Sequence, residues 1–392
     1  MTSVVNPNLI TDLQKFGAAD INACFSCGNC TAICPLTDND AMFPRQLIRL
    51  AQVGLTDDLV GSKELWTCYG CGVCTTRCPQ QADPGEFMGT ARRYAIAHYD
   101  KSGIARTLYT RPVIGTAIVV GAAAFFALFF AAIRGEQSHE SLALFDFIPY
   151  SVIHTTGIVL MVVVALFSLL GVGLLARDVA RKDGVTRASL FGSKQAWGRT
   201  GRALWYALGI ESLGQKRYRD DCHDDEPVEP LYRRRWLIHA LTIWGFLGLL
   251  LATTLDYGMD VLGIKATGTP VPIWYPVRLL GTVAGVALMY GVSWFMVRRW
   301  QENRQCNDDS KPSDWLFLVL LWVTGLTGFL IEAALYAEPV PTWGYWVFLV
   351  HVAIAMELVL FLPFTKFAHA MYRPVSLFFY GLARQRDAQS AG

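Results

Sequence analysis

The chain has 392 residues, 53% of them hydrophobic, and a formal net charge of +2. So slight a charge favours neither nucleic acid nor an acidic partner, and the positive mean hydropathy points to a membrane protein. Eight of the ten cysteines lie within the first 110 positions and the long uncharged runs come later. This division predicts a soluble domain over 1–110, a membrane domain over 111–372 and a tail over 373–392.

The opening MTSVVNPNLITDLQKF has no basic start followed by an apolar core, so it does not resemble a secretory signal. The N-terminal domain is therefore expected in the cytoplasm, where clustered cysteines serve as ligands more often than as disulfides. Two runs follow, CFSCGNCTAICP and CYGCGVCTTRCP, each with the spacing C-x2-C-x2-C-x3-C-P and ending in Pro35 and Pro79. That is the bacterial ferredoxin pattern for cubane clusters, in which the fourth cysteine of each run crosses to the other cluster. It predicts one [4Fe-4S] cluster on Cys24, Cys27, Cys30 and Cys78 and a second on Cys68, Cys71, Cys74 and Cys34. Zinc is the alternative, but zinc usually takes two separated ligand pairs rather than four ligands in one run.

Between the runs, Leu47, Ile48, Leu50, Ala51 and Leu55 recur at a helical period. The stretch MFPRQLIRLAQVGL followed by SKELWTCYGCGVCTTRCP resembles HdrC, the iron-sulfur C subunit of heterodisulfide reductases. The resemblance covers roughly 8 to 105 and implies a helical two-cluster ferredoxin domain.

Six stretches are then long enough to cross a bilayer, at roughly 112–133, 148–176, 236–256, 272–297, 315–336 and 343–368. Arg106 and Arg111 precede the first; Arg177, Arg181 and Lys182 follow the second; Arg233, Arg234 and Arg235 precede the third. Arg298, Arg299, Arg304 and Lys311 lie between the fourth and fifth, and Lys366 and Arg373 close the sixth. The opposite loops carry little more than Arg134 and Lys265, so both termini are expected on the cytoplasmic side of the inner membrane. The loop 177–235 contains Trp197, Leu204, Trp205 and Leu208 at helical spacing among basic residues, which suits a helix lying on membrane lipid or against a partner.

Four histidines, His154, His239, His351 and His369, fall within or at the edge of the spans. Histidine is a common axial ligand of haem iron, and intramembrane ionisable groups mark functional sites. Span direction puts His154 and His351 toward the outer face and His239 and His369 toward the inner, predicting two b haems held by those pairs. Eighteen residues separate His351 from His369, five turns of one helix, with Pro363 between them. The fold class is thus all-α, a helical two-cluster ferredoxin domain followed by a six-helix transmembrane cytochrome b bundle.

The histidine spacing resembles the cytochrome b subunit of respiratory nitrate reductase and HdrE, the related membrane component of heterodisulfide reductases, although the early ligands here lie on successive helices. The joined order of the two halves resembles the QmoC family, membrane subunits of quinone-interacting membrane-bound oxidoreductase complexes. That resemblance implies a menaquinone pool, cytoplasmic flavoprotein subunits related to the heterodisulfide reductase flavoprotein HdrA, and exchange with adenylylsulfate reductase in sulfur metabolism.

A quinone site needs groups that exchange protons near a haem. Arg278 and Glu332 are the candidates, with Asp256 and Asp260 beside them and Glu357 deeper in the last span. Cys222, His223 and Cys306 are isolated among acidic residues and resemble solvent-facing groups more than a third metal site. Two rival functions stay open: a membrane anchor with clusters but no haem, and a heterodisulfide reductase module completed by another subunit.

Overall fold

A computed structural model describes residues 4–17, 21–37, 43–221, 229–265, 271–301 and 310–390. Among them the secondary structure is helical throughout, with no strand. Cys222, His223, Arg304 and Cys306 lie outside the described residues.

The N-terminal region is built from short helices. In α1 (Leu9–Gln14), Leu9 and Leu13 are buried; in α3 (Arg45–Gln52), Leu47, Ile48 and Ala51 are buried while Arg49 faces solvent, the face the helical period predicts. Between them, α2 (Asn29–Ala32) follows the first cysteine loop, and α4 (Val73–Thr76) follows the second. The longer α5 (Pro84–Tyr99) begins on Asp83, whose Oδ1 accepts from the Glu86 amide at 3.0 Å, with Pro84 in the first turn. Trp66 and Phe87, both 0% exposed, fill the space between these helices.

Six helices are long and apolar enough to cross a membrane: α6 (Pro112–Ala132), α7 (Tyr150–Lys182), α9 (Arg235–Val261), α10 (Pro276–Trp300), α11 (Pro312–Leu335) and α12 (Trp343–Leu360). The chain is a multi-pass membrane protein. Between α7 and α9, α8 (Lys194–Trp205) buries Ala196 and Ala203 while Trp197 and Trp205 are 60% and 68% exposed. It runs on into a π-helical segment, Tyr206–Leu213.

The expected sixth span departs from the sequence reading in one respect. Its helix ends at Leu360, and two short 3-10 turns, Leu362–Phe364 and Lys366–Ala368, precede α13 (His369–Ser390). Pro363 has no amide hydrogen to continue the helical ladder, so His351 and His369 stand on different helices and their spacing is not five turns of one.

The residues expected to form a tail begin within α13, which is part of the core. Tyr372, Phe379 and Leu382 share one apolar cluster with Leu13, Trp66 and Phe87 of the N-terminal region and with Leu175 and Val179 of α7. Gly171 makes room on α7 for the Tyr372 hydroxyl, which a side chain there would strike. The cysteine-bearing region and the membrane helices are therefore packed as one body.

Candidate functional site

The two cysteine runs fold alike. Ser26 and Gly70, at the same position of the repeat, have φ of 64° and 66°, and Gly28 and Gly72 have φ of 87° and 83°. Left-handed residues between the thiols coil each loop tightly, and glycine meets that demand without a Cβ penalty. The Gly70 amide donates to Cys68 Sγ at 3.3 Å, and α2 and α4 begin directly after Gly28 and Gly72, carrying Cys30 and Cys74.

The thiols gather across the runs. Burial pushes the Cys30 thiol up, and the neighbouring Cys24, Cys27 and Cys78 thiols add to the rise. Burial pushes Cys34 up to about 12, with Cys68 and Cys71 adding, and raises Cys74 beside Cys68, Cys71 and Cys34. Such thiols are protonated and unreactive at neutral pH until a metal displaces the proton. Four thiols crowded into each run suit a cube, in which each thiolate takes its own iron, better than the two separated ligand pairs usual for zinc.

The surroundings of the two loops differ. The first is held from within the N-terminal region: Gln52 Nε2 donates to the Cys24 carbonyl at 2.7 Å, and Arg45 Nη1 to the Ser26 carbonyl at 3.5 Å. The second is gripped by arginines of the membrane half. Arg373 Nη1 donates to the carbonyls of Trp66, Thr67 and Cys68 at 2.6, 3.2 and 3.2 Å, and Arg235 Nη2 donates to the Gly70 carbonyl at 2.9 Å. Arg92 of α5 adds a bond to the Cys68 carbonyl at 2.6 Å.

Tyr69, inside the second loop, lies 4.2 Å below the Arg373 guanidinium and stacks on Tyr218 with centroids 5.0 Å apart. Its hydroxyl donates to Glu211 Oε2 at 2.5 Å; Glu211 is 2% exposed and belongs to the π-helical segment. Tyr218 meets the His239 ring edge-on at 5.7 Å, and Trp66 lies 5.8 Å from the His369 ring. His239 and His369 thus both border the second cysteine loop through an aromatic side chain.

His239 Nδ1–H donates to Gln215 Oε1 at 3.0 Å. Thr327 gives its hydroxyl hydrogen to the Val323 carbonyl at 2.8 Å, so its oxygen accepts from His351 Nδ1–H at 2.9 Å. In both rings Nε2 is left as the atom able to bind a metal, with Nδ1 fixed in the manner usual for metal-binding histidines. His239, His351 and His369 are each half-buried, so each ring keeps some surface open to a ligand. These features fit haem ligation. His154 lies between the rings of Tyr150 and Tyr257, at 3.9 and 4.7 Å.

Of the quinone-site candidates, Arg278 and Glu332 face each other at 3.4 Å, and Thr282 also donates to Glu332 at 2.9 Å. Asp256 pairs with Lys265 at 2.7 Å. Asp260 Oδ2 accepts from the Tyr150 hydroxyl at 2.8 Å while its buried Oδ1 lacks a partner among the described residues. Glu357, 0% exposed, has neither oxygen bonded among the described residues. Sequence alone missed Tyr69, Tyr218, Glu211, Gln215 and Thr327, and counted Arg235 and Arg373 only as topology markers.

Residues 111–392 match the family model of citrate utilization protein B. The chain belongs to the citrate utilization protein B family. Residues 23–82 match a 4Fe-4S dicluster domain. The citrate utilization protein B of Escherichia coli is 25% identical over 402 residues, covering 99% of this chain and 97% of that protein. The cysteine region is similar to the C subunit of the H(2):CoB-CoM heterodisulfide,ferredoxin reductase of Methanothermobacter marburgensis, 37% identical over 54 residues, 14% of this chain and 29% of that one. The iron-sulfur C subunit of the CoB--CoM heterodisulfide reductase of Methanopyrus kandleri is 30% identical over 70 residues, 16% of this chain and 36% of that protein. These last two relatives are spanned over only about a third of their length.

The HdrC resemblance of the N-terminal region therefore holds, whereas membership of the QmoC family is overturned by the whole-chain match to citrate utilization protein B. The two share an order of halves, and that order misled the sequence reading. The expected adenylylsulfate reductase partner rested on that resemblance alone and falls with it. This citrate utilization protein B family member is an iron-sulfur electron-transfer membrane protein.

Proposed function

We propose that this chain is the membrane subunit of an oxidoreductase, passing electrons between cytoplasmic flavoprotein subunits and a quinone pool, with menaquinone as the quinone. Its cysteines hold two [4Fe-4S] clusters, one on Cys24, Cys27, Cys30 and Cys78 and the other on Cys68, Cys71, Cys74 and Cys34. Two b haems belong to the pairs His154 with His351 and His239 with His369, and the termini face the cytoplasm. Bound there, these groups supply one-electron carriers.

The observation that carries the reading is the junction at the second loop, where Arg373 and Arg235 fix the Cys68–Cys71 backbone and Tyr218 and Trp66 reach His239 and His369. A domain that served only as an anchor has no need of an aromatic path from its second cysteine loop to two histidines of the membrane half. Gln215 and Thr327 hold the rings of His239 and His351, and Asp260 Oδ1, without a partner among the described residues and toward the expected outer end, is placed to take a proton from a quinol.

The test is anaerobic titration of the purified chain with a menaquinol analogue while cluster and haem reduction are recorded. Reduction of both supports the relay; a chain with full iron content but no Soret band reduces it to a non-haem anchor.

A further inference from the structure

A groove of about 340 Å³ lies outside the six apolar helices, between the cysteine region and α13. Pro35, which directly follows Cys34, lines it together with Glu211, whose Oε2 accepts from the Tyr69 hydroxyl. Lys216 and Arg217 reach it from the helix Lys216–Asp221, and Arg384 reaches it from α13. Its size is in the range of small-molecule sites, roughly 300–1,000 Å³, and exceeds what a lone inorganic ion fills.

Charge is out of balance there. Lys216 and Arg384 are exposed, and neither forms an ion pair among the described residues. Arg217 donates to the Tyr380 hydroxyl at 2.5 Å and to the Pro35 carbonyl at 3.5 Å. Asp220, the other carboxylate lining the groove, is paired with Arg219 at 2.9 Å. Two oxygens of lining residues, the Tyr206 hydroxyl and Glu211 Oε1, are buried without a hydrogen-bond partner among the described residues. Leaving such atoms unpaired is costly, so the phenol calls for an acceptor and the carboxylate for a donor. Cations on two separate elements match an anion with two charged ends.

We propose that this groove is an effector site for a small dicarboxylate that carries a hydroxyl group. One carboxylate meets Lys216 and Arg217, the other meets Arg384, and the ligand hydroxyl donates to Glu211 Oε1. The ligand then brings negative charge beside Cys34 and, through Glu211, beside Tyr69 of the second loop. Negative charge disfavours the reduced state, so the cluster of that loop becomes harder to reduce when the groove is filled. The binding site goes beyond the relay proposed above, and its redox consequence rests on the clusters of that relay.

Calorimetric titration of L-malate into the full-length protein in neutral-lipid nanodiscs tests the site, with succinate lacking the hydroxyl and inorganic phosphate lacking the second charged end. Malate is expected to bind, succinate severalfold more weakly and phosphate at least tenfold more weakly. Lys216→Gln and Arg384→Gln, both at exposed positions, are each expected to raise the malate Kd about tenfold, and Tyr206→Phe severalfold. Arg187→Gln, exposed and outside the groove, is expected to leave it unchanged. In an anaerobic redox titration followed by electron paramagnetic resonance, malate should move the second loop's cluster to a more negative potential in the wild type and not in Arg384→Gln. The proposal is overturned if malate does not bind, if phosphate binds as tightly, if neither Lys216→Gln nor Arg384→Gln weakens binding, or if malate binds without moving the potential. Protein without cluster signals fails the relay instead, and the Kd comparison still decides the groove.

Discussion

Tyr69 and Tyr218 stack with ring planes 3° apart, and through this pair the second cysteine loop is joined to the ring of His239. Tyr69 lies between two of the cysteines, and Tyr218 lies on the segment linking α8 to α9. The contact converts two sequence features 171 positions apart, the loop at Cys68 and the histidine at 239, into one junction.

Removing the crossing cysteines separates the clusters. Cys78→Ala is expected to lower iron from about eight to about four per chain and to abolish the signal of the first loop's cluster. Cys34→Ala is expected to remove the other. Iron analysis with electron paramagnetic resonance checks this; loss of the same signal in both variants refutes the crossed assignment.

The grip of Arg373 holds the cysteine region against the membrane helices. Arg373→Met leaves the Trp66 and Thr67 carbonyls without this donor, and that of Cys68 with Arg92 alone, at a side chain only 8% exposed, and the cost is about 3 kcal/mol. Hydrogen exchange should then rise at Trp66 to Cys68 while α10 and α11 keep their protection.

How much of this was legible in the sequence varied with the range of the interaction. The cluster spacing and the apolar lengths of the spans are local, and the helical class follows from them. The end of α12 at Leu360 was only hinted at by Pro363, because a proline alone does not distinguish a kink from a stop. The packing of α13 into the core was not legible, because Arg373 marked only the end of the sixth span until Trp66 and Gly171 are placed beside it and Tyr372. The Tyr69 to Tyr218 stack joins distant segments and has no sequence signal at all.

The hydrogen bonds to Nδ1 tune the histidines. Thr327→Val removes the acceptor of His351, and Gln215→Leu that of His239. Each variant is expected to bind one haem about 10- to 100-fold more weakly. Pyridine haemochrome analysis after washing should show about half the wild-type haem for each.

Acid should loosen the N-terminal region through His98. Burial first, and the Lys101 charge second, hold its imidazole below the ordinary value of 6.5. The native state then binds fewer protons than the unfolded chain, so this contribution is full above about pH 6.5 and is lost as pH falls below it. His98→Gln should flatten the decline in thermal stability between pH 7 and pH 5.

The central claim is that one chain holds clusters and haems in a single relay. A potentiometric titration of the purified protein, followed by optical absorption and electron paramagnetic resonance together, tests it most directly. The relay predicts two cluster signals and two b-type absorption components per chain. Cluster signals without any haem absorption, from protein prepared with haem supplied, contradict it.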